Sequence, residues 1–341
     1  MHTRIEPADL GLCQAAELIR SGQLVAFPTE TVYGLGGDAG NAEAIERIYQ
    51  AKGRPANNPL IVHVPDISGA HQYSTAFPVM ADALAEKFWP GPLTMVVRRN
   101  DLICPAVCAG NHTVALRCPD HPVALALLRA SGRPIAAPSA NRSGYTSPTT
   151  AQHVFDELAD RIALILDGGS CGVGLESTVV DMTGAVPTIL RAGAITAAML
   201  GQCLAAAGFS SEVGQASGHQ AQPESAGELK SPGLLESHYA PRTSALRFYA
   251  SEPERLYTYL RQQEGKRFGL LCMEGFAAPP MIAEKIVLPA EPAACGRKLY
   301  AAMRELDRRH CDVLLIQCPE ATDGLWLAIH DRLRRATREL P

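Results

Sequence analysis

Between Gly208 and Ser237 the chain carries a long run without periodicity, whose middle reads SSEVGQASGHQAQPESAGELKSPG. It is rich in Ser, Gly, Gln and Ala and lacks the apolar spacing by which a helix or strand buries one face. A connection of this length does not belong inside one compact domain. It therefore divides the 341 residues into two bodies, an expectation that suits a chain of this length. The expected organisation is a first domain over residues 1–207, a linker over 208–243 and a smaller domain over 244–341.

On either side of the linker, apolar runs of strand length alternate with segments of helical period. In the first part, helices are expected over Pro7 to Arg20, Asn41 to Lys52, Pro78 to Phe88, Pro122 to Ala130, Thr150 to Ala159 and Ile195 to Ala207. Strands are expected over Leu24 to Phe27, Leu60 to Val64, Leu93 to Arg99, Thr113 to Cys118, Pro134 to Ala137, Ala163 to Leu166, Val179 to Met182 and Thr188 to Leu190. Several strands follow one another directly, which predicts a sheet of mixed direction with helices packed on it. In the second part, strands over Ala245 to Tyr249, Phe268 to Met273, Lys285 to Leu288 and Val313 to Gln317 alternate with helices over Glu252 to Gln263, Pro292 to Arg309 and Leu325 to Leu340. That pattern reads as a small α/β domain, Rossmann-like in layout. Neither the dinucleotide fingerprint nor the P-loop occurs.

Charge excludes a general nucleic-acid sponge. Residues 1–205 carry 14 Lys and Arg against 18 Asp and Glu, and the remainder carries 17 of each. The ten cysteines are scattered singly, often inside apolar runs, as reduced core thiols are. Their one cluster, Cys104, Cys108, His112 and Cys118, has irregular spacing and reads as packing rather than as zinc ligation. No protein-bound metal is expected. No apolar run approaches the roughly 20 residues of a membrane span, so no membrane association is expected.

The chemistry concentrates on short connections. In LVAFPTETVYGLGG and the following KGRPANNPLIVH, Thr29, Thr31, Tyr33, Lys52, Arg54, Asn58 and His63 lie between rigid elements. They read either as an anion pocket or as turn chemistry plus a solvated helix end, where cations are favoured in any case. On TVALRC, Thr113 and Arg117 share a face. Arg117 either reaches an anion or lies on an edge strand at the surface. PSANRSGYTSPT offers Ser139, Asn141, Ser143 and Ser147 as a phosphate cradle or as a polar loop. DGGSCGVGLEST places Ser177 before a strand, with Arg191 following the next one. At the linker's end SPGLLESHYAP holds Pro232, Gly233, His238 and Tyr239, read as a docking segment or as a turn. There is no serine-hydrolase elbow, no paired catalytic carboxylate frame and no metal motif. The inventory suits the positioning of charged substrates and phosphoryl-transfer chemistry, not covalent catalysis.

Taken together, PTETVYGLG, KGRPANNPL, LIVH, the set Lys52, Arg54, Ser139 and Asn141, and SPGLLESHYAP resemble the threonylcarbamoyl-AMP synthase family in its long form. The resemblance implies a YrdC-like mixed twisted sheet with packed helices, joined by a linker to a smaller Rossmann-like α/β domain. It implies a nucleotidyltransferase that makes L-threonylcarbamoyladenylate and pyrophosphate from L-threonine, bicarbonate and ATP, with Mg²⁺ accompanying the ATP. The product serves threonylcarbamoyladenosine modification of tRNA through a separate transfer machinery, and the expected location is cytoplasmic. By the same resemblance Lys52 and Arg54 are the catalytic cations. The L-threonine pocket comprises Thr31, His63, Arg117, Ser177 and the backbone of Ala137. The ATP site comprises Arg54, Asn58, Thr113, Ser139, Asn141, Ser147, Arg191 and Tyr239, with Tyr239 closing over the nucleotide. The family linker reads closer to SPGMKYRHYAP, so Leu234 to Ser237 depart from it, and Asp331 stands where Asn is more usual. The competing readings are an RNA-binding module with weak RNA affinity and a domain related to carbamoyltransferases.

Overall fold

The computed structural model describes residues 2–216 and 239–341. Most of the expected linker, including Pro232, Gly233, Leu234 to Ser237 and His238, lies outside the described residues. The chain forms two compact units. One contains the described chain from residue 2 to Ser143, Pro148–Gly172 and the described chain from Glu176 to 216, and the other gathers Gly144–Ser147, Val173–Leu175 and the described chain from Tyr239 onward.

The first unit runs β1 (Arg4–Pro7), α1 (Ala8–Arg20), β2 (Val25–Phe27), β3 (Gly34–Asp38), α2 (Ala42–Lys52), β4 (Ile61–His63), α3 (Ile67–Tyr73), β5 (Ser74–Ala76), α4 (Val79–Phe88) and β6 (Leu93–Arg99). A 3₁₀ turn over Pro105–Cys108 leads to β7 (Thr113–Arg117), α5 (Pro122–Ser131), β8 (Ile135–Ala136), α6 (Ala151–Leu158), β9 (Leu164–Asp167), β10 (Thr178–Asp181), β11 (Thr188–Arg191), α7 (Ala197–Ala206) and β12 (Gly214–Gln215). The strands make one sheet in the order β1-β9-β2-β3-β8-β4-β7-β6-β10-β11-β12, with β5 beside β6. Parallel and antiparallel pairings are mixed, as the direct succession of strands predicts: β4 and β7 are parallel, β6 and β7 antiparallel.

Alternation along the strands divides the core between the two faces. Ala26 and Ile165 join Ile45 and Ile48 of α2, Leu84 of α4, Val154 of α6 and Leu200 of α7. Their neighbours Val25, Phe27, Leu164 and Leu166 join Ile19 of α1 and Leu127 of α5 on the other face. Helix α2 is bounded as its sequence suggests. Asn41 Oδ1 accepts from Glu43 N and Ala44 N at 2.9 and 3.2 Å, and Gly53 ends it in the left-handed region at φ 62°.

Strands β1, β3, β5 and β12 and helix α3 escape the sequence reading. Strand β3 is GLGGD, a composition that reads as a loop. A Cβ at Gly36 would come within 2.8 Å of both the Phe27 ring and Ile135, so the glycine is where a neighbouring aromatic fills the strand's own side-chain space. Residues 208–216, assigned to the linker by composition, carry β12, which pairs with β11, and place Phe209 and Val213 against the core.

The second unit runs β13 (Ala245–Tyr249), α8 (Pro253–Gln262), β14 (Phe268–Met273), β15 (Ile282–Leu288), α9 (Pro292–Asp307), β16 (Val313–Cys318), α10 (Trp326–Ala336) and β17 (Arg338–Glu339). Its five strands are ordered β15-β14-β16-β13-β17, and every pairing is parallel. Strand and helix alternate as expected. The closing helix ends at Ala336 rather than Leu340, because the last residues gain a ladder with Leu246 and Arg247 and bury Leu340.

Candidate functional site

Register and alternation put the sequence-predicted strand residues of the first unit, His63, Thr113, Arg117 and Arg191, on one sheet face. Ile61 and His63 of β4 lie opposite Ala115 and Arg117 of β7, and Ala115 lies opposite Val96 of β6. Thr94 lies opposite Val179, and Val179 opposite Arg191. His63 lies opposite Ile135, which sets Ala137 on the same side. Ile61, Val96, Ala115 and Val179 form a small apolar floor. Around it stand His63, Thr113, Arg117, Ala137 and Arg191. Strand β7 sits inside the sheet, and Arg117 is 4% exposed. The edge-strand alternative for Arg117 therefore fails.

At one side of the floor a hydroxyl-pinned turn follows β2. Thr29 Oγ1 accepts from Thr31 N and Val32 N at 3.2 and 3.3 Å and donates to Val32 O at 2.7 Å. The turn buries Glu30 and Thr31 against Arg117. Arg117 Nη2 donates to Thr31 Oγ1 at 2.9 Å and lies 2.7 Å from Glu30 Oε1, while Nε donates to Gly91 O at 3.3 Å. The Glu30 contact is an ion pair by distance. Neither of its buried carboxylate oxygens accepts a well-aligned hydrogen bond.

His63 lies beside Arg117 and edge-on to Phe27, with ring centroids 6.1 Å apart. Burial, then the Arg117 charge, push its pKa down to about 3, against an opposing hydrogen bond to the Ile135 backbone. The ring is therefore neutral at physiological pH, and its buried Nδ1 has no hydrogen-bond partner. The Ala137 N–H is taken by Ile61 O at 2.8 Å, so Ala137 can serve a ligand through its carbonyl.

Across the floor Ser177, fully buried, meets Thr94 Oγ1 at 2.7 Å. Arg191 donates to it twice, from Nη2 to Oγ at 3.1 Å and from Nε to its carbonyl at 3.1 Å. Three strands thus converge on one serine.

The remaining cations leave α2. Lys52, 3% exposed, donates to Ser139 O at 2.6 Å and Asn141 O at 2.5 Å, fastening the loop after β8. Burial first, then the neighbouring Arg54, hold its pKa well below the usual lysine value. Asn141 Nδ2 donates to Arg142 O at 2.8 Å. Arg54 donates to Asn58 O at 3.1 Å, Asn58 Oδ1 at 2.5 Å and Pro59 O at 2.9 Å. That geometry aligns Asn58, whose buried Nδ2 has no partner. The alternative of a solvated helix end fails for both cations, because both are buried.

Two predicted residues belong to the second unit. The Ser147 carbonyl accepts from Arg304 Nε at 3.4 Å. Tyr239 is buried at φ 66°, with its ring stacked on Tyr300 at 5.8 Å and the Arg332 guanidinium 5.3 Å from its centroid. Its carbonyl accepts from Thr146 Oγ1 at 3.1 Å.

Cys108 and Cys118 are buried thiols whose pKa values burial pushes up to about 12. Cys118 donates to Pro65 O at 3.3 Å. Among the described residues no group of three or more His, Cys, Asp or Glu is arranged to hold a metal.

Sequence reasoning passed over Glu30, Thr94 and Gly91, all partners of predicted residues. Glu30 carried a signal: it is the one charged residue between Arg20 and Asp38, set between two threonines. Thr94 and Gly91 carried none, because their importance arises from strand register.

Fold and site define a two-unit α/β protein whose mixed sheet presents buried cations, a buried carboxylate paired with one of them and a neutral imidazole around an apolar floor. Residues 17–193 match the family described as "Telomere recombination", and residues 195–337 match "Threonylcarbamoyl-AMP synthase, C-terminal domain". The threonylcarbamoyl-AMP synthase of Bacillus subtilis is 42% identical over 96% of this chain and 93% of its own. That of Schizosaccharomyces pombe is 37% identical over 98% and 91%. The crystal structure of P. abyssi Sua5 complexed with L-threonine superposes with a TM-score of 0.88 at 36% identity, covering 98% of each chain. The chain belongs to the threonylcarbamoyl-AMP synthase family, in its two-domain form, and is a nucleotidyltransferase-type enzyme.

Proposed function

We propose that this sheet face joins L-threonine, bicarbonate and ATP into L-threonylcarbamoyladenylate, releasing pyrophosphate and water. The product supplies threonylcarbamoyl modification of tRNA, with the transfer made by a separate machinery. One observation carries the reading: Arg117, buried beside a neutral histidine on an apolar floor, is neutralised by an ion pair with Glu30 whose carboxylate oxygens have no well-aligned hydrogen bond, an arrangement that a substrate carboxylate can replace. A planar guanidinium suits a carboxylate in a two-bond arrangement. The amino acid thus lies along Thr31, His63, Arg117, the Ala137 carbonyl and Ser177.

ATP lies toward Arg54, Asn58, Thr113, Ser139, Asn141 and Arg191. Ser147 and Tyr239 keep the nucleotide role that the family resemblance gives them. Lys52 fixes the Ser139–Asn141 loop through two backbone carbonyls, so its contribution is positioning as well as charge. Arg54 and Arg191 stabilise charge developing on the phosphates. Mg²⁺ arrives as the counter-ion of the nucleotide and is part of that substrate. The chemistry requires no protein nucleophile: the threonine nitrogen attacks the carbonate carbon, and the carbamate oxygen then attacks the α-phosphorus. No helix among the described residues is long and apolar enough to cross a membrane, and the ten cysteines form no disulfide. On the family resemblance, we assign the enzyme to the cytoplasm.

Pyrophosphate release from ATP by the purified protein tests the reading. Release is expected to require both L-threonine and bicarbonate. Arg117→Ala should raise the KM for threonine at least tenfold more than that for ATP, and Arg54→Ala should do the reverse. Release without bicarbonate, or equal losses for both substrates in both variants, overturns it.

A further inference from the structure

Arg117 already has an anion in this structure, and the anion is Glu30. The contact is 2.7 Å and buried on both sides, with side chains 5% and 11% exposed. Its geometry is unfinished, because neither Glu30 oxygen has a well-aligned donor. A buried carboxylate without hydrogen bonds is costly, and such groups persist where something else completes them. Arg117 is also incompletely committed to Glu30, since the same Nη2 donates to Thr31 Oγ1.

The proposed substrate is a zwitterion. Its carboxylate needs a cation, and its ammonium needs an anion. The surrounding side chains that take part are cations (Arg117, Lys52, Arg54, Arg191), hydroxyls and a neutral histidine. None of these is an anion that can face an ammonium group, and of the two buried carboxylates nearby, Glu30 and Glu176, Glu30 is the one in contact with Arg117. Glu30 lies against the very arginine assigned to the substrate carboxylate, so the pair, once parted, offers opposite charges to the two charged ends of an α-amino acid.

We propose that Glu30 is the ammonium-binding and proton-accepting carboxylate of this enzyme. Resting on the reading of Arg117 as the carboxylate partner, it makes the Glu30–Arg117 pair a template for an amino-acid zwitterion. Binding parts the pair: the substrate carboxylate takes Arg117, and the substrate –NH₃⁺ donates to the Glu30 oxygens. One N–H bond then breaks and one O–H bond forms on Glu30, leaving a neutral amine whose lone pair can attack carbon. The amine and bicarbonate give the carbamate and water, and the proton held by Glu30 passes to solvent.

The test measures steady-state pyrophosphate release and competition by 3-hydroxybutyrate, a probe that keeps the carboxylate and hydroxyl of threonine but lacks the amine. Glu30→Gln should raise the KM for L-threonine at least tenfold and lower kcat at least tenfold. It should leave ATP affinity, measured by titration calorimetry without threonine, within twofold of wild type. Inhibition by 3-hydroxybutyrate should stay the same or tighten, because that probe has no ammonium group to place against Glu30. Glu30→Asp, which keeps the charge, should recover part of the threonine affinity and serves as the reporter if Glu30→Gln does not fold.

Glu30→Gln with wild-type kcat and KM for threonine overturns the proposal. So does tighter threonine binding in that variant, the mark of a carboxylate that merely competes for Arg117. Arg117→Ala separates the two readings. If it weakens threonine and Glu30→Gln does not, the proposal for Glu30 alone falls. If Arg117→Ala leaves threonine untouched, the assignment of the pocket falls first.

Discussion

His63 couples stability to pH in a direction and size that follow from its surroundings. The folded chain holds the imidazole pKa near 3, through burial and then through the Arg117 charge. The unfolded chain takes up the proton near the ordinary value of about 6.5. A depressed pKa means that the unfolded state binds more protons between these two values. The stability contributed by the neutral ring is therefore fully present above about pH 6.5 and is lost as pH falls toward 3. Between pH 7 and pH 5 the difference amounts to about 2 kcal/mol. For a unit of this size that corresponds to roughly 4–8 °C in melting temperature. Many carboxylates titrate over the same range, so the quantity to measure is a difference of slopes. Wild type and His63→Gln are melted by circular dichroism at pH 7, 6 and 5. The wild-type Tm should fall more steeply than that of the variant by about this amount. Parallel curves would refute the reasoning, showing that the ring accepts its proton in the folded protein.

Three further outcomes follow from other contacts. Lys52→Met leaves the Ser139 and Asn141 carbonyls without their donor, at about 1–3 kcal/mol each less the relieved cost of burying the amine. Thermal melts should show a lower Tm, and ATP affinity by calorimetry should fall by more than threonine affinity. A Cβ at Gly193 would lie 2.4 Å from Thr178 N and 2.7 Å from Ser177 C, both backbone atoms that cannot swing aside. Gly193→Ala should therefore separate Ser177 from Arg191, costing about 1–3 kcal/mol in denaturant melts and raising the KM for both substrates. In the second unit Arg332 is fully buried, 2.6 Å from Asp331 Oδ2 and over the Tyr239 ring. Arg332→Met removes one of three arginines from a carboxylate that keeps Arg335 at 2.9 Å and Arg334 at 3.6 Å, and should cost about 1–3 kcal/mol, read as an earlier transition in urea melts.

The parts of this protein legible in its sequence are those whose information is local. Helix α2 was readable because Asn41 caps its start and Gly53 its end, and because Ile45 and Ile48 recur at helical spacing. The central strands were readable as apolar runs. Strand β3 was not, because GLGGD has no side chains to declare a strand, and its identity rests on the Phe27 ring across the sheet. Asp331 illustrates the same limit. It reads as a departure from a usual Asn, yet three arginines of α10 surround it. Burial raises its pKa and those charges lower it further, so the net shift is downward.

The site divides in the same way. Which residues carry chemistry could be read from PTETVYG, KGRPANN and TVALRC, because hydroxyls and cations beside apolar runs are conspicuous. What each cation touches could not be read, because it depends on register across strands distant in sequence. Lys52 reads as a catalytic cation, and in the structure it also fastens a loop. Arg117 looked like an unpaired charge awaiting a carboxylate and already faces one. These two differences have one cause. A buried cation in a site that must also fold without its substrate needs a partner from the chain itself, and the chain supplies backbone carbonyls to one and Glu30 to the other. Backbone carbonyls belong to the chain's own loop, so Lys52 holds shape besides supplying charge. A carboxylate on a turn can give way, and that makes Glu30 the residue through which an empty site and an occupied one differ.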